Sequence, residues 1–233
     1  MDASAHPPES PSVEPGSGPL VGAALGLGLL AAAVALSLFV WLGYEVRSGT
    51  PTDFDLTIRA AIRSLETARL STVMWGASVY GAPRRLLPLS LVVAAVFLVR
   101  GWRRGALLIL VTVAGAGVLD LGLKELFARA RPQAYFDYYP TPESFSFPSG
   151  HALFAVCFFG GIAVLLSHRL RGVLARILTW ALAFALILLI GVSRIYLGVH
   201  YPTDVIGGFA VGTVWVAAVA LGDRLAQRRR LRV

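Results

Sequence analysis

Three short polar clusters stand at the ends of apolar segments of this chain, and their residue types suit the binding of a phosphate group. They occupy residues 124–132, 148–151 and 193–204. All three segments can end at the same face of a membrane, which would bring the clusters together. The pattern therefore predicts one phosphate site assembled from three distant parts of the chain.

Positive charge for such a site comes from Lys124, Arg131 and Arg194, and Lys124 is the only lysine among 21 Lys and Arg residues. Charges at the ends of membrane helices are costly unless an opposite charge meets them, so these three indicate an anionic ligand. Arginine binds phosphate oxygens bidentately, and lysine adds a compact charge. If the helix carrying Lys124 continues to Pro132, the spacing of nearly two turns places Arg131 on the same face.

The second cluster, Pro-Ser-Gly-His at 148–151, immediately precedes an apolar run. Ser149 is placed to cap that helix, and Gly150 allows a close approach between the backbone and a ligand. Free amides at a helix start favour phosphate. Capping alone would explain Ser149, whereas a histidine at position 151, beside the membrane, is harder to explain by structure alone.

The third cluster contains the pair His200 and Asp204. An imidazole attacks phosphorus through one nitrogen only if its other nitrogen keeps a proton and is held in place. A carboxylate four residues further on can do this. The same pair could be a structural hydrogen bond at a helix start, and it is the presence of the other two clusters that favours catalysis.

Taken together, the three clusters resemble the three-part signature of the type 2 phosphatidic acid phosphatase family of integral membrane phosphatases, whose site is similar to that of the vanadium haloperoxidases. Every signature position is filled by residues 124–132, 148–151 and 193–204. Each motif alone is weak evidence, but three in the same order are specific. The resemblance implies hydrolysis of a lipid phosphate.

The resemblance also implies roles for individual residues. His200 would attack the phosphorus and form a phosphohistidine, with Asp204 orienting its ring. His151 would protonate the leaving oxygen and then activate the water that hydrolyses the intermediate. The phosphoryl oxygens would be bound by Lys124, Arg131, Ser149, the Gly150 amide and Arg194. These cations would stabilise the transition state as magnesium does elsewhere, so no metal and no cofactor is expected.

Two further residues are possible supports of the site. Asp120 lies one turn before Lys124, a spacing that allows an ion pair. That pair is either purely structural or a means of orienting the lysine. Ser193, next to Arg194, is a second candidate for such an orienting function. The carboxylates Asp137 and Glu143 are near in sequence, but they follow no spacing typical of metal ligands, and three cations would repel a divalent ion.

The composition identifies the kind of molecule that must position these clusters. The chain is 56% hydrophobic, only 15% charged and has a mean hydropathy of +0.70, which is typical of an all-helical, polytopic membrane protein. The net charge of +8 does not indicate nucleic-acid binding, because the arginines are interspersed with apolar runs and form no continuous basic stripe. Membrane lipids are the expected surroundings.

Six apolar segments are long enough, or nearly so, to cross a bilayer. They are 20–44, 86–99, 106–123, 152–167, 177–193 and 205–222. The chain is accordingly divided into a disordered tail at 1–19, a six-span domain at 20–223 and a basic tail at 224–233. Arginines concentrate in the loops at 100–105 and 168–176 and in the C-terminal tail, which predicts that both termini are cytoplasmic and that the site lies at the outer face of the plasma membrane.

Two loops on the outer side carry further patterns. In the first, at 48–84, Phe54, Ile58, Ile62 and Leu65 recur at helical spacing, which predicts an amphipathic helix lying in the interface. The second, at 133–147, is rich in aromatic residues and suits an interfacial belt or a gate for a headgroup.

The expected activity is removal of a phosphate from phosphatidic acid, phosphatidylglycerophosphate or a polyprenyl diphosphate such as undecaprenyl diphosphate. Two alternatives remain at this stage: transfer of the phosphoryl group to an acceptor other than water, and a protein that binds or transports lipid phosphates without catalysis. The motif residues all address the phosphate and none reads the lipid tail, so they do not select a substrate. The oligomeric state is left open.

Overall fold

The computed structural model describes residues 18–136 and 142–230, and within these ranges every regular element is a helix. The predicted all-helical fold is therefore confirmed. The predicted N-terminal tail and Asp137 lie largely or wholly outside the described residues. The α-helices are α1 (Gly18–Val46), α2 (Asp53–Arg63), α3 (Ala68–Tyr80), α4 (Pro83–Val99), α5 (Arg103–Phe127), α6 (Gly150–Ala155), α7 (Gly161–Ser167), α8 (Val173–Tyr196) and α9 (Pro202–Arg230), and a π-helical segment, Val156–Gly160, joins α6 to α7.

Five helical segments in the described ranges are long and apolar enough to cross a membrane. They are Gly26–Val46, Arg103–Phe127, Gly150–Ser167, Val173–Tyr196 and Pro202–Arg229. A sixth span results if α3 and α4, which are bent by 57° at a short break, count as one. The six predicted spans thus correspond to these segments, and the shortest of them, 86–99, falls within α4, the second helix of the bent pair.

The helices pack around a core built from α4, α5, α9 and the α6–α7 segment. Its centre contains Ile109, Val113 and Ala116 of α5 against Leu153 and Phe154 of α6. Helix α1 lies along α9, and α3 lies along α8. The outer face of α8 is instead open, with side chains such as Leu182 and Phe184 more than 60% exposed. Lipid tails are the natural neighbours of such a face.

Close approach between α6 and α9 depends on two glycines. A Cβ on Gly208 would lie 2.6 Å from the Ser149 carbonyl oxygen, and one on Gly212 would lie 2.9 Å from Cβ of Val156. Small residues one turn apart let membrane helices approach until their backbones nearly touch. The two glycines therefore fix the distance between the helices that carry the second and third polar clusters.

The first outer loop contains more structure than the sequence predicted. Helix α2 confirms the amphipathic helix, although Leu65 lies beyond its end. Thr52 caps α2 by accepting a hydrogen bond from the Asp55 amide at 3.1 Å, and α2 packs against α8 and α9. The remainder of the loop forms a second helix, α3, whose apolar stretch had not been recognised as regular structure.

The ends of α5 and α9 bear on two further expectations. Helix α5 ends at Phe127 because Ala128 adopts a left-handed conformation with φ of 45°. Arg131 therefore lies in the following linker, and the condition under which it would share a helical face with Lys124 is not met. At the other end of the chain, α9 continues to Arg230, so most of the predicted basic tail is the last part of a helix.

Candidate active site

The three polar clusters meet at one end of the helix bundle. Helix α5 ends there, α6 begins there, and a tight connection joins α8 to α9. Gly198 makes this connection possible, with φ of +78° and only 2.6 Å between an added Cβ and the Tyr135 amide nitrogen. Any side chain at position 198 would be both strained and in collision. The connection thus brings His200 and Asp204 beside the linker that follows α5.

His200 is held between a cation and a carboxylate. Its ring is 1% exposed, with Nε2 2.8 Å from Nη1 of Arg131 and Nδ1 3.3 Å from Oδ2 of Asp204. Since arginine can only donate, Nε2 is the acceptor, and the ring proton lies on Nδ1, where it points to the carboxylate. This is the tautomer in which Nε2 carries a free electron pair.

Asp204 is surrounded by donors on both of its oxygens. Oδ1 accepts a hydrogen bond from Nη1 of Arg129 at 2.6 Å. Oδ2 accepts one from the Tyr201 amide at 2.8 Å and one from the Ser146 hydroxyl, in addition to the contact with His200. The side chain is completely buried. A carboxylate with four donors has no freedom to rotate, which fixes the ring that it contacts.

The surroundings of His200 keep its ring neutral. Burial is the largest effect, followed by the positive charges of Arg131, Arg194 and Lys124, and together they lower the pKa of His200 well below its usual range. A neutral imidazole is the form that can attack an electrophile. The same three cations that keep the ring neutral are available to meet a negatively charged ligand.

His151 lies in the first turn of α6, close to the other members of the site. Arg194, His200 and Lys124 are all near enough to act electrostatically on its ring, and the backbone of Ser78 is its hydrogen-bond partner. The Ser78 hydroxyl also accepts a hydrogen bond from Nη1 of Arg194. Ser78 of α3 thus contacts two predicted site residues, which explains why α3 lies against the bundle here.

Lys124 and Asp120 form the predicted ion pair, with Nζ 2.9 Å from Oδ2 and side chains that are 11% and 13% exposed. Asp120 also lies against the start of α6, since an added Cβ on Gly150 would be 2.6 Å from its Oδ1. That oxygen has no hydrogen-bond partner among the described residues. Lys124 is therefore paired with a mostly buried carboxylate that lies against the start of α6.

Ser149 occupies the predicted N-cap position of α6, but its hydroxyl does not cap the helix. The residue is fully buried, its amide donates to the Asp204 carbonyl at 2.9 Å, and its Oγ has no partner among the described residues. A buried hydroxyl without a partner is costly. This favours the binding function predicted for Ser149 over the capping function.

One predicted support does not face the cluster. Ser193 is buried, but its hydroxyl donates to the Ile190 carbonyl of its own helix at 2.6 Å. For metals, the described part of the chain contains no group of three or more His, Cys, Asp or Glu side chains arranged to hold an ion. The remaining predicted residues are gathered at this end of the bundle.

The sequence interpretation missed Asp55, Ser78 and Arg129. Arg129 is inside the first cluster, yet it was not distinguished from its neighbours. Asp55 is the third residue of α2, where it has the sequence pattern of a capping box, and Ser78 is in an apolar stretch. The capping pattern accounts for Asp55 by itself. The one sign of a further function was that this acidic residue lies on the buried side of an amphipathic helix.

The arrangement combines a neutral imidazole with an available nitrogen, a second histidine, a buried hydroxyl and several cations. Such a set can bind a phosphoryl group, attack it and transfer protons to and from its oxygens.

Comparisons with known proteins find phosphatases among the relatives of this chain. The family model described as "PAP2 superfamily" matches residues 105–227. Phosphatidylglycerophosphatase B of Bacillus subtilis (strain 168) is 34% identical over 196 residues, which are 82% of this chain and 94% of the relative. An undecaprenyl-diphosphatase of Sulfolobus acidocaldarius is 28% identical over 198 residues, or 83% of this chain and 88% of that protein.

A solved structure is also similar. The crystal structure of a transmembrane PAP2-type phosphatidylglycerolphosphate phosphatase from Bacillus subtilis superimposes with a TM-score of 0.71 at 32% identity, and it covers 83% of this chain and 96% of its own.

Proposed function

Because the chain belongs to the PAP2 superfamily, we propose that it releases phosphate from a lipid phosphate or diphosphate through a phosphohistidine on His200. The chain is a multi-span membrane hydrolase of lipid phosphates, as the family and its apolar helices show. The histidine intermediate and the identity of the lipid are the steps that the proposal adds.

The observation that carries the proposal is the state of the His200 ring. Its Nδ1 proton points to Asp204, and its Nε2 accepts a hydrogen bond from Arg131 at 2.8 Å. A phosphate bound by Arg131 would bring its phosphorus to the nitrogen that carries the free electron pair. The Arg131 guanidinium is held by the carbonyls of Ser144, Val199 and Phe145, which fixes its charge beside Nε2. A bound phosphate would accept the Nη1 hydrogen that now goes to Nε2, and this exchange would free the electron pair of Nε2 for attack.

In the first step, Nε2 of His200 forms a bond to phosphorus and the bond to the lipid oxygen breaks. His151 gives its proton to that leaving oxygen. In the second step, His151 takes a proton from water, the resulting hydroxide attacks phosphorus, and the bond to Nε2 breaks to release phosphate. Lys124, Arg131 and Arg194 stabilise the charge on the transferred group, with Ser149 and the Gly150 amide as further donors.

This chemistry needs no metal ion, because the three cations supply the charge that magnesium supplies in many phosphoryl transfers. The proposal therefore predicts full activity in the presence of a chelator.

We place the site at the outer face of the plasma membrane, with both termini in the cytoplasm. The basic residues at 100–104 and 169–176 lie at the helix ends opposite the site, and Arg104 at the start of α5 is bonded to Asp223 near the end of α9 at 2.7 Å. Arginine-rich helix ends are retained on the cytoplasmic side.

The substrate that we favour is phosphatidylglycerophosphate, because the relative with 34% identity is named a phosphatidylglycerophosphatase. Undecaprenyl diphosphate is our second choice, because another relative is named an undecaprenyl-diphosphatase. In either lipid the tail stays in the bilayer while the phosphate enters the bundle end at headgroup depth. The residues of the proposed site would bind the phosphate and not the lipid tail, so the assay must include several lipids.

The test is phosphate release from phosphatidylglycerophosphate, phosphatidic acid and undecaprenyl diphosphate in detergent with EDTA present. Wild type is compared with His200→Ala and with the matched control His168→Ala, a histidine at the other end of the bundle. We expect activity in wild type and His168→Ala and none in His200→Ala, with acid-labile phosphate trapped on both active proteins and not on His200→Ala. Activity that persists in His200→Ala, or that EDTA abolishes, would refute the mechanism.

A further inference from the structure

Arg129 connects two buried carboxylates from distant parts of the chain. Its Nη1 is 2.6 Å from Oδ1 of Asp204, and its Nη2 is 2.8 Å from Oδ2 of Asp55. All three side chains are completely buried. Buried charges are retained only when they are paired with good geometry, and here one guanidinium is shared by two acids.

Asp55 is also bonded to the beginning of the helix that carries Asp204. Its Oδ1 accepts hydrogen bonds from the Thr203 amide at 3.0 Å and from the Thr203 hydroxyl at 2.8 Å. The Thr203 hydroxyl in turn accepts one from Nη1 of Arg129 at 2.7 Å. A carboxylate at a helix start satisfies the free amides there. Helix α2 is thus fastened to the first turn of α9 through Asp55.

The consequence concerns the two oxygens of Asp204. Arg129 occupies Oδ1, so Oδ2 is the oxygen left for His200. The Arg129 guanidinium also lies over the Tyr201 ring, 4.2 Å from its centroid, which restricts the plane in which it can present its donors. The Tyr201 amide and the Ser146 hydroxyl hold Oδ2, and Arg129 is the donor that holds Oδ1. The orientation of the His200 ring therefore depends on Arg129 as well, although Arg129 does not touch it.

We propose that Asp55 and Arg129 are positioning residues, which hold the Asp204 carboxylate in the one orientation that keeps the Nε2 atom of His200 directed at the phosphate. Neither residue contacts the reacting atoms. Asp55 fixes Arg129, Arg129 fixes Asp204, and Asp204 fixes the ring. The interfacial helix α2 is by this route a part of the catalytic apparatus.

A capping role for Asp55 does not account for these contacts. In a capping box the acid reaches back to the N-cap amide, and the Asp55 contact with the Thr52 amide is long, at 3.4 Å. Its contacts with Arg129 and Thr203 are all shorter, at 3.0 Å or less. The Asp55 side chain is therefore bonded mainly to Arg129 and Thr203 and only weakly to the start of its own helix.

The experiment is a double-mutant cycle between Asp55→Asn and Asp204→Asn, assayed on the most rapidly hydrolysed of the three lipids named above. Asp55→Asn alone should lower kcat about 10-fold or more and leave KM within about 2-fold of wild type. In the Asp204→Asn background, Asp55→Asn should change kcat by less than about 2-fold, because the residue through which it acts is already altered. If the two substitutions instead lower kcat independently, so that their fold-losses in kcat multiply in the double variant, the proposal is overturned.

Arg129 provides the second variant, in case Asp55→Asn folds poorly. Arg129→Lys keeps a positive charge between the acids but cannot reach both with the fork of the guanidinium. We expect kcat between that of wild type and that of Arg129→Gln, with unchanged KM. If both Arg129 variants keep wild-type kcat per folded molecule and only melt at a lower temperature, the residue is structural and the proposal fails.

The matched control is Asp223→Asn, which removes an acid from another ion pair between distant segments, at the opposite end of the bundle. Its kcat should equal that of wild type.

The inference rests on the proposed chemistry of His200, and the two can fail separately. Activity that survives His200→Ala would overturn both. Full activity of Asp55→Asn together with an inactive His200→Ala would overturn the positioning role alone.

Discussion

Nη1 of Arg131 donates a hydrogen bond to Nε2 of His200 across 2.8 Å. The contact defines the tautomer of the ring, and it places a permanent positive charge at the atom that attacks phosphorus in the proposed reaction. One residue thereby keeps the nucleophile unprotonated and attracts the group to be attacked.

The first prediction concerns the pH dependence caused by this contact. Arg131 lowers the pKa of His200, so Arg131→Gln should raise it and allow the ring to become protonated at a higher pH. Since a protonated ring cannot attack, the acid limb of kcat/KM should move to higher pH, in addition to a general loss of activity. Arg131→Lys retains the charge and should keep the limb near its wild-type position. An acid limb that is the same in both variants would contradict the electrostatic explanation.

The second prediction concerns the pair of Lys124 and Asp120. Lys124→Ala removes a proposed phosphate ligand and leaves a mostly buried carboxylate unpaired beside the site, so both activity and melting temperature should fall. The double variant Lys124→Ala/Asp120→Asn removes that carboxylate charge and should melt at a higher temperature than the single variant. Thermal unfolding in detergent measures this difference. A double variant less stable than Lys124→Ala would show that Asp120 has another partner.

The third prediction concerns Ser78, which contacts Arg194 from helix α3. Ser78→Ala leaves the arginine without this hydroxyl, and a hydrogen bond to a charged group contributes about 1.5–3 kcal/mol. We expect kcat/KM to fall about 10- to 100-fold, which corresponds to that energy range. Ser90→Ala is the control, because Ser90 is also buried but donates to the Leu87 carbonyl of its own helix. Equal effects of the two substitutions would argue against a function of Ser78 at the site.

The fourth prediction concerns the close packing of α9 on α6. An alanine at position 208 brings its Cβ within 2.6 Å of the Ser149 carbonyl oxygen, so Gly208→Ala must separate the two helices. Overpacking of this kind costs about 1–3 kcal/mol, and here it also displaces Ser149. Gly222→Ala in the same helix meets nothing within 4 Å and should be neutral in both melting temperature and activity. A wild-type melting temperature for Gly208→Ala would show that the helices can separate without cost.

Much of the candidate site could be predicted from the sequence because its residues stand where apolar segments end. Four of these residues are polar side chains beside long apolar runs, where an unpaired charge is energetically costly. They are Lys124, His151, His200 and Asp204. The structure brings these segment ends together, as expected for helices that all finish at one boundary. The pairing of Lys124 with Asp120 also followed from spacing alone.

The remainder depended on contacts that spacing does not encode. Spacing alone left open whether the helix of Lys124 reaches Arg131, and a left-handed residue at position 128 ends α5 before it and turns the chain toward His200. Asp55 and Thr203 are 148 positions apart and meet only in the folded chain. Single-sequence periodicity describes one element at a time, so it does not reveal a partner carried by another element.

The unbroken course of α9 sets the depth of the site. Asp204 is in its first turn and Arg224 is near its other end, and a rise of 1.5 Å per residue puts about 30 Å of helix axis between them. This matches the thickness of a bilayer's hydrocarbon layer, about 30 Å. The length of α9 therefore predicts that Asp204 lies at the boundary of one leaflet when Arg224 lies among the headgroups of the other. In bilayers of shorter or longer acyl chains this match is lost, so turnover should depend on membrane thickness.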